Sequence, residues 1–222
     1  MNRTLLDDGF HSYLIKGATF SGAAGIPNLL DLKNAHVPKR LISFQKCLST
    51  RHKDAYVHFY SFDQTFRRLL VNAPKYVEVL RSFEGVITPD PSITIGQSKC
   101  LQETNVYFNR AVGLYLQMHG VPVIPNVRWG DETTFSFCFL GVPKHSIVSV
   151  GTHGCMKDRE LRRAFKIGLE VMLERLEPTD VIVYGAMPDD VFGPYKDMTR
   201  FHRFPSEFEL SHGKEDAEDG NE

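Results

Sequence analysis

The sequence predicts an α/β protein on a mainly parallel sheet with alternating helices. Short apolar runs and helix-period segments alternate from residue 55 to residue 185. Nearly every apolar run stops abruptly in polar or glycine-bearing residues, as buried strands do where they leave a sheet. The length, 222 residues, suits a single core. Five or six strand–helix units fit an incomplete (β/α) barrel-like sheet or an open Rossmann-like one. The polar residues after almost every strand favour the barrel-like form.

Residues 1–24 are mixed in character and form an irregular lead-in that ends in the small-residue run SGAAG. A single α/β domain follows over residues 25–204. RLISF (40–44) gives a first short strand, and AYVHFYSF (55–62), rich in aromatic and β-branched residues, a stronger one. Residues 63–83 carry apolar side chains at helical spacing, and Pro74 divides them into two helices. GVITPD (85–90) is a buried strand. In the helix predicted over 104–120, Val106, Asn109, Arg110 and Gly113 fall at helical spacing and Gly120 ends it. VPVIPNV (121–127) and SIVSVG (146–151) are strands. TTFSFCF (133–139), between them, reads as an extra strand or an extended loop. The helix at 158–177 shows Leu161, Phe165, Leu169, Met172 and Leu176 on one stripe, with Arg162, Lys166, Glu170 and Glu174 opposite. TDVIVYG (179–185) supplies the next strand.

Charge is uneven beneath a net −1. Residues 205–222 hold seven acids against one base, −6, which leaves +5 on the body. This acidic tail has almost no apolar residues from about Ser211 onward, so it is expected to be disordered. No run of 18 apolar residues is present, and Asp7, Asp8 and His11 stand where a signal peptide is apolar. Cytoplasmic residence, with no membrane contact, is the expectation. Cys47, Cys100, Cys138 and Cys155 lack CxxC pairing and read as reduced thiols, Cys138 as packed core.

Chemistry concentrates at the strand ends. Asp90 closes one strand, and Asp131 with Glu132 follows another. In a parallel α/β fold these loops open on one face, where converging carboxylates suit a divalent cation such as Mg²⁺ or a catalytic acid/base pair. Turn and capping roles are the alternative for Asp90 and Asp131. Trp129 offers a flat face for a base or sugar, or packs at the rim; Arg128 beside it binds an anion or pairs with an acid. Gly151, Thr152, His153 and Gly154 precede a helix whose start bears Lys157, Arg159, Arg162 and Arg163, a place for phosphate, with His153 as a further catalytic candidate. Arg110 is a candidate clamp on the carboxylates. His153 and Cys155 have no second Cys/His pair at zinc spacing, and GxSxG is absent.

The succession GIP, VHFYSFD, GVITPDPS, the 105–146 block with WGDE, SFCF and GVPK, then VSVGTHG, MLERLEP and VIVYG resembles an uncharacterised bacterial and phage family, domain of unknown function 4417. The likeness covers about residues 25–185. It implies a cytoplasmic product of phages and mobile elements in Gram-positive bacteria (host cytoplasm, if phage-encoded), and it implies no activity. The chain departs from the family pattern at Pro91 and at Gly151-Thr152. The leading functional expectation is an enzyme or binder for a phosphate-bearing, nucleotide-like small molecule. The alternatives are an accessory protein that binds a host protein, and a nucleic-acid binder using the basic cluster at 157–166.

Overall fold

The computed structural model describes residues 11–31 and 35–211. A short antiparallel pair, β1 (Phe20–Ser21) and β2 (Ile26–Pro27), precedes the main sheet. Then β3 (Leu41–Ser43), β4 (Tyr56–His58), β5 (Gly85–Ile87) and β6 (Val123–Ile124) pair in parallel, each beside its predecessor. A second parallel set consists of β7 (Ile147–Gly151), β8 (Asp180–Tyr184) and β9 (Arg200–Phe204). A parallel bridge between Asn126 and Ser149 joins the two sets. There Val127 N–H donates to the Ser149 carbonyl and Ser149 N–H to that of Pro125, each at 2.8 Å.

Seven strands therefore follow one another in space in chain order, without the reversal of a Rossmann sheet. Among the described residues no ladder links β9 back to β3, so the barrel is open. This is the barrel-like alternative, left incomplete. Its outer face packs α1 (Asp63–Val71), α2 (Val77–Arg81) and α3 (Lys99–Met118) on the first set, and α4 (Arg159–Leu176) on the second. A short α5 (Asp189–Phe192) lies between β8 and β9.

The period-2 alternation of the strands divides the core. Val57, Phe59, Val86 and Val123 join the helices in one cluster, and Val148, Val150, Val181 and Val183 join α4 in another. Tyr56, Ile87, Ile124 and Ile182 form a third cluster, with Leu41, Ile147 and Phe204 packed against it. These side chains fill the barrel interior, as in small closed barrels. At its N-terminal floor the buried Asp180 accepts hydrogen bonds from Arg200 (2.9 Å) and His202 (2.8 Å).

Three local features depart from expectation. Residues 133–139 are neither strand nor extended. A 3₁₀ turn, Glu132–Thr134, continues into successive turns that bury Phe135, Phe137, Cys138 and Phe139 together. Strand β9 is an addition, because the RFHRF run reads as charged. Helix α3 begins already at Lys99. The expectations for residues 1–10, and for the acidic tail beyond Ser211, lie outside the described residues. Pro205–Ser211 folds back as a helical turn, with Ser206 N–H donating to Glu209 at 2.8 Å and Leu210 N–H to the Ser206 carbonyl at 3.0 Å. Among the described residues no helix is long and apolar enough to cross a membrane.

Helix α4 owes its close seating to Gly168. A Cβ there would stand 2.1 Å from Nε1 of Trp129, inside the ring's own volume. Gly168→Ala is expected to destabilise the fold by about 1–3 kcal/mol through overpacking, read as a lower urea midpoint at an unchanged slope.

Candidate functional site

Polar side chains gather near the carboxyl ends of several strands, and there they find one another. Tyr60, just past β4, stacks on Tyr184 at the end of β8, with centroids 4.6 Å apart and planes 11° apart. Gly151 makes room for this ring, since a Cβ would meet it at 2.9 Å. The Tyr60 hydroxyl lies 2.9 Å from Asn126 Oδ1 and 2.6 Å from Ser149 Oγ. Asn126 Nδ2 donates to one oxygen of Asp90 at 2.6 Å, and Arg128 Nη1 donates to the other at 2.6 Å. Ser149, Tyr60, Asn126, Asp90 and Arg128 thus form one chain from the barrel interior to its mouth. Burial, and then the Asp90 charge, push the Tyr60 phenol well above its ordinary pKa, so it stays protonated. Asp90 in turn raises the pKa of Arg128.

Arg128 opens onto a cavity of about 240 Å³. Ile93 and Ile95 from the segment after β5, Trp129 and Gly130 after β6, and Leu161 and Phe165 of α4 supply apolar walls. Gly151, His153, Gly154 and Cys155 close the side nearest β7. Arg128 is one of the residues lining the cavity, and among the described residues Asp90 is the only hydrogen-bond acceptor of its guanidinium. Cys155 is a thiol at neutral pH. Burial raises its pKa, and nearby Arg128 offsets this only in part.

The sequence candidates separate into two groups. Arg128, Trp129, Gly151, His153 and Gly154 share this cavity. Asp90 lies behind it, buried, as the anchor of Arg128. Asp131 and Glu132 do not converge with Asp90. Asp131 caps the 3₁₀ turn, accepting from the backbone N–H (3.1 Å) and the hydroxyl of Thr133, and Glu132 is exposed outside the cavity. Among the described residues no three His, Cys, Asp or Glu side chains group as metal ligands. Thr152 is buried, and both its N–H (3.0 Å) and its hydroxyl (3.2 Å) donate to the Tyr184 carbonyl, which leaves neither for a ligand. The start of α4 is already capped by Asp158, which accepts from Glu160 and Leu161 N–H at 2.9 Å each. Its dipole is answered without a phosphate.

Arg110 reaches no carboxylate. It is 1% exposed and donates to the Leu140 carbonyl (3.0 Å), the Cys138 carbonyl (2.9 Å), the Asn126 carbonyl (3.0 Å) and Asn109 Oδ1. Its role is structural. Trp129 is core rather than rim, packed on Phe165 and Gly168 with one face toward the cavity. Tyr60, Asn126 and Ser149 escaped the sequence reading. Their signal was present as lone polar groups at inward positions of otherwise apolar strands.

His58 completes the interior beneath the mouth, its ring 4.6 Å from that of Tyr184. Its Nδ1 lies 3.3 Å from the Tyr60 backbone N–H and accepts from it. Burial lowers its pKa from 6.5 to about 4. The unfolded chain therefore binds the extra proton between those values, and stability falls as pH drops from 6.5 toward 4. The expected contribution, on the order of 3 kcal/mol, should vanish in His58→Gln when denaturation is titrated against pH. Asp131→Ala should cost about 1 kcal/mol through the lost cap, with the cavity untouched, as urea unfolding and thiol accessibility of Cys155 will report.

Two curated relatives come from mycobacteriophages. The "Gene 1 protein" of Mycobacterium phage L5 is 29% identical over 143 residues, 62% of this chain and 62% of the relative. Its counterpart in Mycobacterium phage D29 is 27% identical over 173 residues, 75% of this chain and again 62% of the relative. The chain thus spans under two thirds of the length of these relatives. No solved structure matches it. The model for the family described as Domain of unknown function (DUF4417) matches residues 18–204, all nine strands of the fold, and the chain belongs to that family.

Proposed function

We propose that the chain binds a compact anionic small molecule, phosphate-bearing and nucleotide-like, in the cavity at the carboxyl ends of its parallel strands. One observation carries the reading. The guanidinium of Arg128 is fixed from behind by Asp90, and Arg128 lines a pocket with apolar and aromatic walls. That combination of one oriented cation with flat apolar surface recognises an anion attached to a ring. The cavity of about 240 Å³ lies below the 300–1,000 Å³ or so usual for drug-sized ligands, which favours a mononucleotide over a dinucleotide. His153 at the rim adds a second donor. Cys155 and His153 both line the cavity, and burial keeps the Cys155 sulfur a thiol, which supports binding over nucleophilic chemistry.

Thermal unfolding with each of the four ribonucleoside 5′-monophosphates tests it. At a ligand concentration of one hundred times Kd the stabilisation is about 2.7 kcal/mol, a rise of roughly 5–10 °C for a chain of this size. Ala164→Trp fills the cavity from α4 without touching the Arg128–Asp90 pair and should abolish the rise. An unchanged melting temperature with all four ligands would sink the proposal.

A further inference from the structure

We infer that Tyr60 is the positioning residue of this site: from inside the barrel its hydroxyl sets the Asn126 amide, which fixes Asp90 and thereby the Arg128 guanidinium facing the cavity. The inference rests on the cavity being the ligand site, and deepens that reading.

Hydrogen-bond directionality makes the case. An amide has one accepting and one donating end, and its two orientations are nearly equal in shape. Both oxygens of Asp90 act as acceptors, one from Arg128 and the other from Asn126, so Asn126 turns Nδ2 toward it in the 2.6 Å contact. Oδ1 must then find a donor on its other side. The hydroxyl of Tyr60, 2.9 Å away, is the side-chain donor that Oδ1 meets. A hydroxyl has a single hydrogen, so with that of Tyr60 committed to Asn126, the hydrogen of Ser149 points to Tyr60 at 2.6 Å in preference to the Ile182 carbonyl at 3.3 Å. Ser149, Asn126 and Asp90 are buried, Tyr60 and Arg128 half-buried, and each group has one consistent role: Ser149 to Tyr60, Tyr60 to Asn126, Asn126 to Asp90, Arg128 to Asp90. The Tyr60 ring cannot drift, because Tyr184 stacks on one side and Gly151 allows backbone contact on the other. Without the Tyr60 hydrogen, Oδ1 of Asn126 is a buried acceptor without a partner. The amide gains by rotating away, and Asp90 loses the contact that holds it for Arg128.

Tyr60→Phe removes only the hydroxyl. The first readout needs no ligand: solvent exchange of the Arg128 Nη1–H that Asp90 accepts, followed by NMR, its signal assigned by its loss in Arg128→Lys. Exchange should quicken at least about tenfold in Tyr60→Phe, as for a broken hydrogen-bonded fold element worth one decade. It should stay near wild type in Ser149→Ala, where Tyr60 still donates to Asn126. Asn126→Asp, which replaces the donor facing Asp90 by an acceptor, should reproduce the Tyr60→Phe effect and serves if that variant does not fold. The second readout compares the affinities of adenosine 5′-monophosphate and adenosine. A positioning role predicts that Tyr60→Phe loses the preference for the monophosphate while adenosine affinity holds; a merely structural role lowers both together. Unchanged Arg128 exchange in Tyr60→Phe or in Asn126→Asp, or equal quickening in Ser149→Ala, overturns the inference. If neither compound binds the wild type, the ligand-site reading falls, and Arg128 exchange still decides the role of Tyr60.

Discussion

The buried guanidinium of Arg110 is the constraint on which the rest of the structure depends. A cation sealed from water costs several kcal/mol unless its donors are met, and here neutral oxygens meet them. Those oxygens belong to the backbone after β6, to the turns at residues 138 and 140, and to Asn109 of its own helix. Asn109 also accepts from Thr88 and donates to the carbonyls of Pro89 and Asn126. Two adjacent side chains of α3, Asn109 and Arg110, thus tie together two strand ends and the aromatic turns. Burial brings the pKa of Arg110 down to about 10, so it remains charged at neutral pH and the cage stays closed.

The cage and the site share Asn126. Its backbone carbonyl serves Arg110 and its backbone N–H donates to Thr88 at 2.7 Å, while its side chain faces the barrel and serves Asp90 and Tyr60. It also forms the bridge to β7 that makes two sheets one. Support and function therefore meet at a single residue whose every polar atom is engaged. The aromatic turns, held by Arg110 from one side and stacked on α4 from the other, provide the apolar wall of the cavity through Trp129.

The order of strands and helices was legible because it rests on local periodicity, and α4 and the break at Pro74 were plain for that reason. Strand β9 was hidden: Arg200, His202 and Arg203 dilute its apolar pattern, yet an edge strand needs only partial burial, as Phe201 has here. Residues 133–139 alternate like a strand, but Phe135, Phe137 and Phe139 reach one cluster from a run of turns, which periodicity cannot distinguish. At the site, Arg128 and His153 were readable as polar groups following strands. Asp131 and Glu132 were misleading because residue type does not reveal that a carboxylate is spent on a cap. The importance of Tyr60 depends on contacts with residues 66 and 89 positions away, and no local pattern carries that.

The gap between β3 and β9 has a consequence of its own. Where a closed barrel would have backbone pairing, the described seam is crossed by a side-chain pair, Lys46 to Glu207 at 2.7 Å. Exposed ion pairs of this kind contribute little and weaken in salt. Both flanking strands therefore keep a bare edge, the usual template for unwanted polymerisation. The side chains that disguised β9 in the sequence stand on that edge: Arg200, His202 and Arg203, each held by an acid, put polar bulk where a flat apolar strand would invite another one.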